Sequence, residues 1–383
     1  MTVREDFCAA DPAAAATDRF SDPATWERAD IQWDSSEQKT LVCCRVRDET
    51  HDVRTFVFSA KDGRAFSFEP GQFITVSADI GGAPVSRCYT VSSPPTRPYT
   101  LSITVKRTPG GVMSNWLHAN MAPGVELRAF GPSGVFTPAC GPAAKALYLS
   151  AGSGVTPLMS MTRAAIDLGL NRDIVFVHSA RTPEDIIFRD DLDRLSAEAG
   201  RLRVIHVCEG TGSDANWRGP TGRLSLELLQ EHVPDYRDRE VFTCGPSGYM
   251  STAQALLAQG GHDPARYHQE SFNFAETVEA AVEAADAPQR AGQASDCIYT
   301  VRLAKSGKTF PMNGSETVLA AARKAGVPLA SSCSQGICGT CKTAVLEGTV
   351  DMQHNGGIRQ REIDKGLRLM CCSRPTSDLV LDL

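Results

Sequence analysis

Three cysteines stand close together near the C-terminus, Cys333, Cys338 and Cys341, in a C-x4-C-x2-C arrangement, and Cys371 follows after 29 intervening residues. Four thiolates at this spacing can hold two irons bridged by sulfide, a [2Fe–2S] cluster. The residues among them are small (Ser332, Ser334, Gly336, Gly339, Thr340). Small residues let main-chain N–H groups turn toward the sulfurs, and such hydrogen bonds help to set the potential. A zinc site usually shows two C-x2-C knuckles, and only Cys338/Cys341 has that spacing. Cys372 lies beside Cys371, and chemistry alone does not choose between the two as fourth ligand.

Two further groups of residues suit redox cofactors. Arg87-Cys88-Tyr89-Thr90 is followed by Gly110-Gly111-Val112-Met113-Ser114. An Arg fork suits a phosphate, an aromatic can pack on a flat ring, and a Gly-Gly pair before a helix bares N–H groups for a phosphate. Taken alone, an Arg on a strand is more often a surface residue and Gly-Gly more often a turn. Leu147–Ser150 then leads into Ala151-Gly152-Ser153-Gly154-Val155-Thr156-Pro157, a strand, a Gly-rich turn and a helix start. Pro157 occupies the last position of Gly-x-Gly-x-x-Gly, so the full dinucleotide fingerprint is absent, yet pyrophosphate at a helix N-terminus remains feasible.

The elements that must position these groups fall into three blocks. Residues 37–140 hold short β-type runs punctuated by Gly and Pro, the pattern of an antiparallel barrel or sandwich. Residues 141–275 alternate strands and helices, the pattern of a doubly wound parallel α/β sheet. Residues 276–296 are rich in Ala, Glu and Gln and read as a linker; residues 297–383 form a third unit; residues 1–36, with Trp26 and Trp33, read as an extension. The 383 residues carry 39 Lys+Arg and 45 Asp+Glu, a net charge of −6, with no basic tract, which argues against nucleic acid as a partner. No run of about 18 apolar residues suggests a membrane span, and Met1–Asp11 lacks the apolar core of a signal peptide. The expectation is the cytoplasm, where the 13 cysteines, an odd number, would be thiols or metal ligands.

Residues 298–383 resemble a plant-type ferredoxin domain of β-grasp fold, through Cys-Ser-Gln-Gly-Ile-Cys-Gly-Thr-Cys (333–341) and Cys-Cys-Ser-Arg-Pro (371–375). That likeness implies Cys333, Cys338, Cys341 and Cys371 as the ligands. Arg-x-Tyr-Thr followed by Gly-Gly-x-x-Ser resembles the flavin barrel of the ferredoxin–NADP reductase family. The resemblance implies that Arg87 and Ser114 contact flavin phosphate, Tyr89 packs on the isoalloxazine and Thr90 lies near its N5. Cys88, Val105, Lys106, Gly111, Val112 and Met113 would complete the flavin site. It also implies that Gly152, Gly154, Thr156, Pro157, Ser179, Arg181, Gly245 and Pro246 hold the nicotinamide nucleotide. Cys244, in Thr243-Cys244-Gly245-Pro246, would lie beside the nicotinamide C4. In Glu270-Ser271-Phe272, Glu270 would stand at the flavin–nicotinamide contact and Phe272 near the flavin ring. The motif leaves FAD and FMN open, and the order of domains leans to FAD. After the second strand of the α/β block, Arg181 favours NADPH while Glu184 and Asp185 favour NADH; the balance leans to NADH.

The three modules make sense together. A hydride carrier delivers two electrons at once, a [2Fe–2S] cluster takes one at a time, and a flavin converts between them. A plant-type cluster, at about −400 mV, can reduce most acceptors. The sequence has no Rieske spacing and no 2-His-1-carboxylate grouping of its own, so the final oxidation is expected on a separate partner. The order flavin, nicotinamide, ferredoxin resembles reductase components of Rieske monooxygenases, most closely those demethylating glycine betaine or stachydrine. Reduction of hybrid-cluster protein or an acyl-CoA epoxidase, a stand-alone diaphorase, or a redox sensor are the alternatives. Residues 298–383 hold 11 Lys+Arg and 7 Asp+Glu, so a basic docking face including Arg359, Arg361, Lys365 and Arg368 is a further expectation.

Overall fold

A computed structural model of the chain describes residues 38–134, 136–138, 144–271, 297–327, 329, 336, 339, 341–354, 358 and 360–383. The readings that involve Trp26, Trp33, Phe272, Cys333, Cys338, Arg359 and the 276–296 segment lie outside these residues. The chain forms two compact units, the first built mainly from residues up to Phe272 and the second mainly from Asn273–Leu383.

The first unit contains two sheets. Strands β1 (Lys39–Thr50), β2 (Val53–Ala60), β3 (Phe73–Ile80), β4 (Ala83–Thr90), β5 (Leu101–Lys106) and β6 (Glu126–Ser133) pair in the order β4-β3-β6-β1-β2-β5. A bridge between Val91 and Ile103 joins the end of β4 to β5 and closes the barrel. The barrel is filled from inside by Leu41, Phe56, Phe58, Ile74, Leu101 and Ile103, and capped by Met113 and Leu117 of helix α1 (Val112–Asn120). Alternating burial, as over Glu126–Gly131 of β6, follows from the two-residue period of a strand.

Strands β7 (Lys145–Ala151), β8 (Asp173–Ala180), β9 (Leu202–Cys208), β10 (Glu240–Gly245) and β11 (Tyr267–Ser271) make a parallel sheet in the order β11-β10-β7-β8-β9. The central strands β7, β8 and β10 are buried along most of their length because helices cover both faces, whereas the edge strand β11 is only partly buried. Ala146, Tyr148, Ile174, Phe176 and Phe242 face α2 (Val155–Asp167) and α3 (Arg189–Glu198). Leu147, Leu149, Val175, Val177 and Val241 face α4 (Leu226–His232) and α5 (Ser247–Gln259). The strand order reverses between β7 and β10, which is where doubly wound sheets bind their ligands.

The second unit is a mixed five-stranded sheet of β12 (Ile298–Leu303), β13 (Thr309–Asn313), β14 (Lys342–Glu347), β16 (Leu367–Leu369) and β18 (Leu379–Leu381), in the order β13-β12-β18-β14-β16. A short pair, β15 (Val350–Met352) with β17 (Ser373–Pro375), flanks it. The helix Val318–Lys324 packs Val318, Leu319, Ala321 and Ala322 onto the sheet, the β-grasp arrangement.

One polar element is buried in the parallel sheet. Ser150 on β7 and His178 on β8 are neighbours in register, with Oγ and Nδ1 2.7 Å apart. His206 follows on β9, its ring 6.4 Å from that of His178 and its Nε2 2.9 Å from Asp193 Oδ1. Burial, and then the nearby His206, push the His178 pKa down to about 3. The unfolded imidazole protonates near ~6.5, so between these values only the unfolded chain takes the proton. Stability is therefore full above about pH 6.5 and falls toward pH 3, by up to about 1.4 kcal/mol per pH unit for this group. Hydrogen exchange at the β8 amides, measured from pH 7 to pH 5, should show the opening free energy falling with a slope that His178→Asn reduces by one proton. Equal slopes would remove His178 as the cause.

Candidate active site

The flavin motif is spread over β4 and the turn leading into α1. Arg87 is exposed and donates to the Ser86 carbonyl at 2.7 Å. Cys88 and Tyr89 are half-buried, and Tyr89 packs against the barrel core. Thr90 is buried at the strand end. Gly110 takes φ +71° in open space, a conformation that L side chains rarely adopt. Ser114 Oγ accepts from the Thr108 N–H at 3.2 Å and lies 3.3 Å from the Gly111 carbonyl, so it closes the turn. Asn115, which the motif reading overlooked, braces the same turn through Nδ2, to the carbonyls of Thr108 (2.9 Å) and Gly111 (2.7 Å). The result is a tight turn before a helix N-terminus, which suits a phosphate. Val105 and Met113 point into the barrel core, leaving only their main chain to a ligand, whereas Val112 is exposed. Lys106 Nζ is 3.3 Å from Asp52 Oδ2.

The nicotinamide motif lies where the strand order reverses. Gly152–Gly154 forms a single 3-10 turn, and α2 starts at Val155 with Thr156 and Pro157 in its first turn. Proline fits the first turn because N–H groups there have no helical partner. Thr156 Oγ1 donates to the Ser153 carbonyl at 3.0 Å. A Cβ on Gly154 would collide with the carbonyl of Cys244 and the nitrogen of Gly245, so glycine alone lets α2 approach the end of β10. Cys244 is fully buried, and burial, with Glu270 next in effect, pushes its thiol pKa well up, so it stays protonated. Glu270 pairs with Cys244 in register on β11 and is partly buried. Pro246 caps α5. Tyr249, missed from sequence, packs beside Gly245 with its hydroxyl buried next to Ser179.

At the end of β8 Arg181 is exposed. Glu184, weighed above as a group opposing a 2′-phosphate, accepts from the N–H and the hydroxyl of Ser213. Those bonds, the Ser213 hydroxyl first, hold its carboxyl down to about 2. Asp185 accepts from Thr182 Oγ1 at 2.9 Å.

In the second unit Cys341 and Cys371 are buried side by side, with the Cys371 N–H 3.4 Å from Cys341 Sγ. The Gly336 N–H points at Cys371 Sγ from 3.2 Å. Cys372 turns its thiol to the Leu369 carbonyl instead, at 3.6 Å. Thiols that receive main-chain N–H groups fit cluster ligands. Of the basic candidates, Arg368 donates to the carbonyls of Ile363 and Leu367, while Lys365 is exposed.

Three family models match in this same order. They are an oxidoreductase FAD-binding domain over residues 43–137, an oxidoreductase NAD-binding domain over 148–255 and a 2Fe-2S iron-sulfur cluster binding domain over 301–376. A glycine betaine monooxygenase reductase subunit of Pseudomonas aeruginosa is 44% identical over 348 residues, covering 89% of this chain and 94% of that protein. The chain belongs to the family of these monooxygenase reductase subunits. A stachydrine N-demethylase reductase subunit of Rhizobium meliloti is 39% identical over 89% of the reductase and 95% of its own length. The solved structure of phthalate dioxygenase reductase, described as modular for electron transfer from pyridine nucleotides to [2Fe–2S], matches with TM-score 0.52 and 25% identity. It covers 90% of the reductase and 98% of that chain. The reductase thus carries FAD-, NAD- and [2Fe–2S]-binding domains, and no helix among its described residues is long and apolar enough to cross a membrane.

The Gly154 contact gives a direct test. Gly154→Ala must push the start of α2 away from β10, and a loss of about 1.4 kcal/mol is a tenfold weaker affinity. Equilibrium titration with NAD⁺ should show at least that loss, with the flavin and cluster absorbance retained. Wild-type affinity would contradict this account of the turn.

Proposed function

We propose that the reductase takes electrons from NADH and passes them through FAD and the cluster to a separate Rieske-type monooxygenase that demethylates a quaternary ammonium compound. The observation that carries this is the 44% identity over 89% of the chain to a glycine betaine monooxygenase reductase subunit. The cytoplasm is the proposed compartment, supported by the absence of disulfides among the described cysteines. NADH is the proposed donor, supported by the negative charge that Glu184 and Asp185 place in the turn after β8, which opposes a 2′-phosphate.

The residues divide the work as follows. Arg87, Gly111 and Ser114 would hold the flavin phosphate, with Tyr89 against the ring and Thr90 at its reactive edge. Gly152, Gly154 and Thr156 would hold the pyrophosphate on α2. Ser179 and Arg181 would lie along the nucleotide, and Gly245 and Pro246 would shape the nicotinamide pocket. The neutral Cys244 thiol and Glu270 would flank the nicotinamide, excluding water from the path of the hydride. When bound, the flavin accepts electrons as a pair and releases them singly. Cys333, Cys338, Cys341 and Cys371 would hold the cluster; the N–H donated by Gly336 favours Cys371 over Cys372.

Demethylation by an oxygenase uses dioxygen and two electrons and releases formaldehyde. With NADH and a purified oxygenase for glycine betaine or stachydrine, the reductase should support formaldehyde release in proportion to NADH consumed. Cys371→Ser should lose the cluster absorbance and this coupling while retaining NADH-dependent ferricyanide reduction, and Cys372→Ser should behave as wild type. A Cys371→Ser protein with an intact cluster would overturn the ligand assignment. Brisk formaldehyde release without any cluster would overturn the electron path.

A further inference from the structure

Helix α2 has a second polar function besides the turn at its N-terminus. Ser160, Arg163 and Asp167 stand at i, i+3 and i+7 and therefore share one face of the helix. That face meets the segment leaving β4, immediately after Thr90. Ser160 Oγ donates to the Ser93 carbonyl at 2.8 Å, and the Arg163 guanidinium donates to the Ser92 carbonyl at 2.8 Å. Arg97 makes a two-pronged pair with Asp167, at 2.8 and 3.0 Å, and Thr96 adds a third donor to the same carboxylate.

Arg163 is the centre of this contact. Its other prong reaches Asp191 Oδ2 on α3 at 2.5 Å, and the same oxygen receives Arg47 from β1 at 3.0 Å. Phe188 lies beneath both guanidinium groups, 4.9 Å from that of Arg163 and 6.0 Å from that of Arg47. To place its ring there Phe188 adopts φ +60°, the left-handed region that a bulky residue rarely enters. Desolvation would raise the Asp191 pKa, but Arg163 and then Arg47 more than offset it and keep the carboxylate charged. Beside these contacts the barrel and the parallel sheet leave a cleft of about 180 Å³, lined by Arg45, Arg97, Arg194 and Leu195 among others. The seam is thus held here by discrete polar contacts next to open space.

We propose that Arg163, supported by Ser160, is a positioning residue that sets the distance between nicotinamide and flavin. One end of α2 carries the Gly152–Thr156 turn. Its side grips residues 92 and 93, which continue directly from Tyr89 and Thr90. A shift of α2 against that grip moves the two cofactor sites relative to each other while leaving each intact. The inference rests on the assignment of these two segments as the nicotinamide and flavin sites. Because a misplacement of the order of 1 Å can cost about 100-fold in rate, the effect belongs in the hydride step and not in affinity.

The test is anaerobic stopped-flow mixing of the purified, fully loaded reductase with NADH. Arg163→Ala should slow flavin reduction at least tenfold at saturating NADH, with the KM for NADH changed less than twofold. The long-wavelength absorbance that reports flavin–nicotinamide stacking should weaken, and the isotope effect with 4-deuterated NADH should rise. Arg163→Lys, which can reach Ser92 or Asp191 but not both, should recover part of the rate. Ser160→Ala, a milder truncation, guards against a failure of Arg163→Ala to fold and should slow the same step. Unchanged flavin reduction in both truncations would overturn the proposal, as would a loss confined to KM. A wild-type protein whose flavin NADH does not reduce would instead overturn the underlying site assignment.

Discussion

The close approach of Gly154 to the carbonyl of Cys244 is the contact that fixes where α2 meets the parallel sheet. It occurs where the parallel sheet reverses its strand order, so two loops diverge there and leave a crevice. Only a residue without a Cβ lets the first turn of α2 settle against the end of β10. Once it does, the Gly152–Gly154 turn, the buried Cys244 thiol and Glu270 share one edge of the sheet. The body of α2 then runs back along the barrel to the residues after Thr90. One helix therefore joins the Gly152–Gly154 turn to the segment after Thr90, and its register is fixed by a backbone contact at one end and by hydrogen bonds along its side.

The second unit solves a different problem. A cluster needs several thiolates close together, and thiolates repel one another until metal binds. Buried N–H groups aimed at sulfur, as at Cys341 and Cys371, favour charge there. By contrast Cys244, buried beside Glu270, is kept protonated. The same residue type thus serves opposite ends because its surroundings set its charge.

Much of this was legible in the sequence. The cysteine spacing, the Arg-Cys-Tyr-Thr strand and the order of barrel, α/β sheet and β-grasp rest on local signals: fixed offsets, turn residues and periodicity. Spacing alone did not separate Cys371 from Cys372, and only the ferredoxin resemblance pointed to Cys371; in the fold its thiol is the one that faces the N–H of Gly336, 35 residues away. The face of Val105 was also hidden: a β-branched residue on a short strand reads alike on either side until the barrel closes. The Ser160–Ser93 and Arg163–Ser92 bonds join segments about 70 residues apart, and the helix spacing shows a polar face without showing what it meets. Glu184 read as an acid awaiting a ribose, whereas the loop after β9 supplies Ser213 to it. Pairings between distant segments arise from packing, and no single stretch of sequence carries them.

The central claim is that electrons move in one direction within one chain, from NADH to flavin to cluster. Anaerobic rapid mixing with NADH, followed at flavin and cluster wavelengths over a range of protein concentrations, tests it most directly. The account predicts that flavin bleaches first, that the cluster follows, and that cluster reduction proceeds at a rate independent of protein concentration. Cluster reduction that scales with protein concentration, or that persists unchanged in protein stripped of flavin, would contradict it.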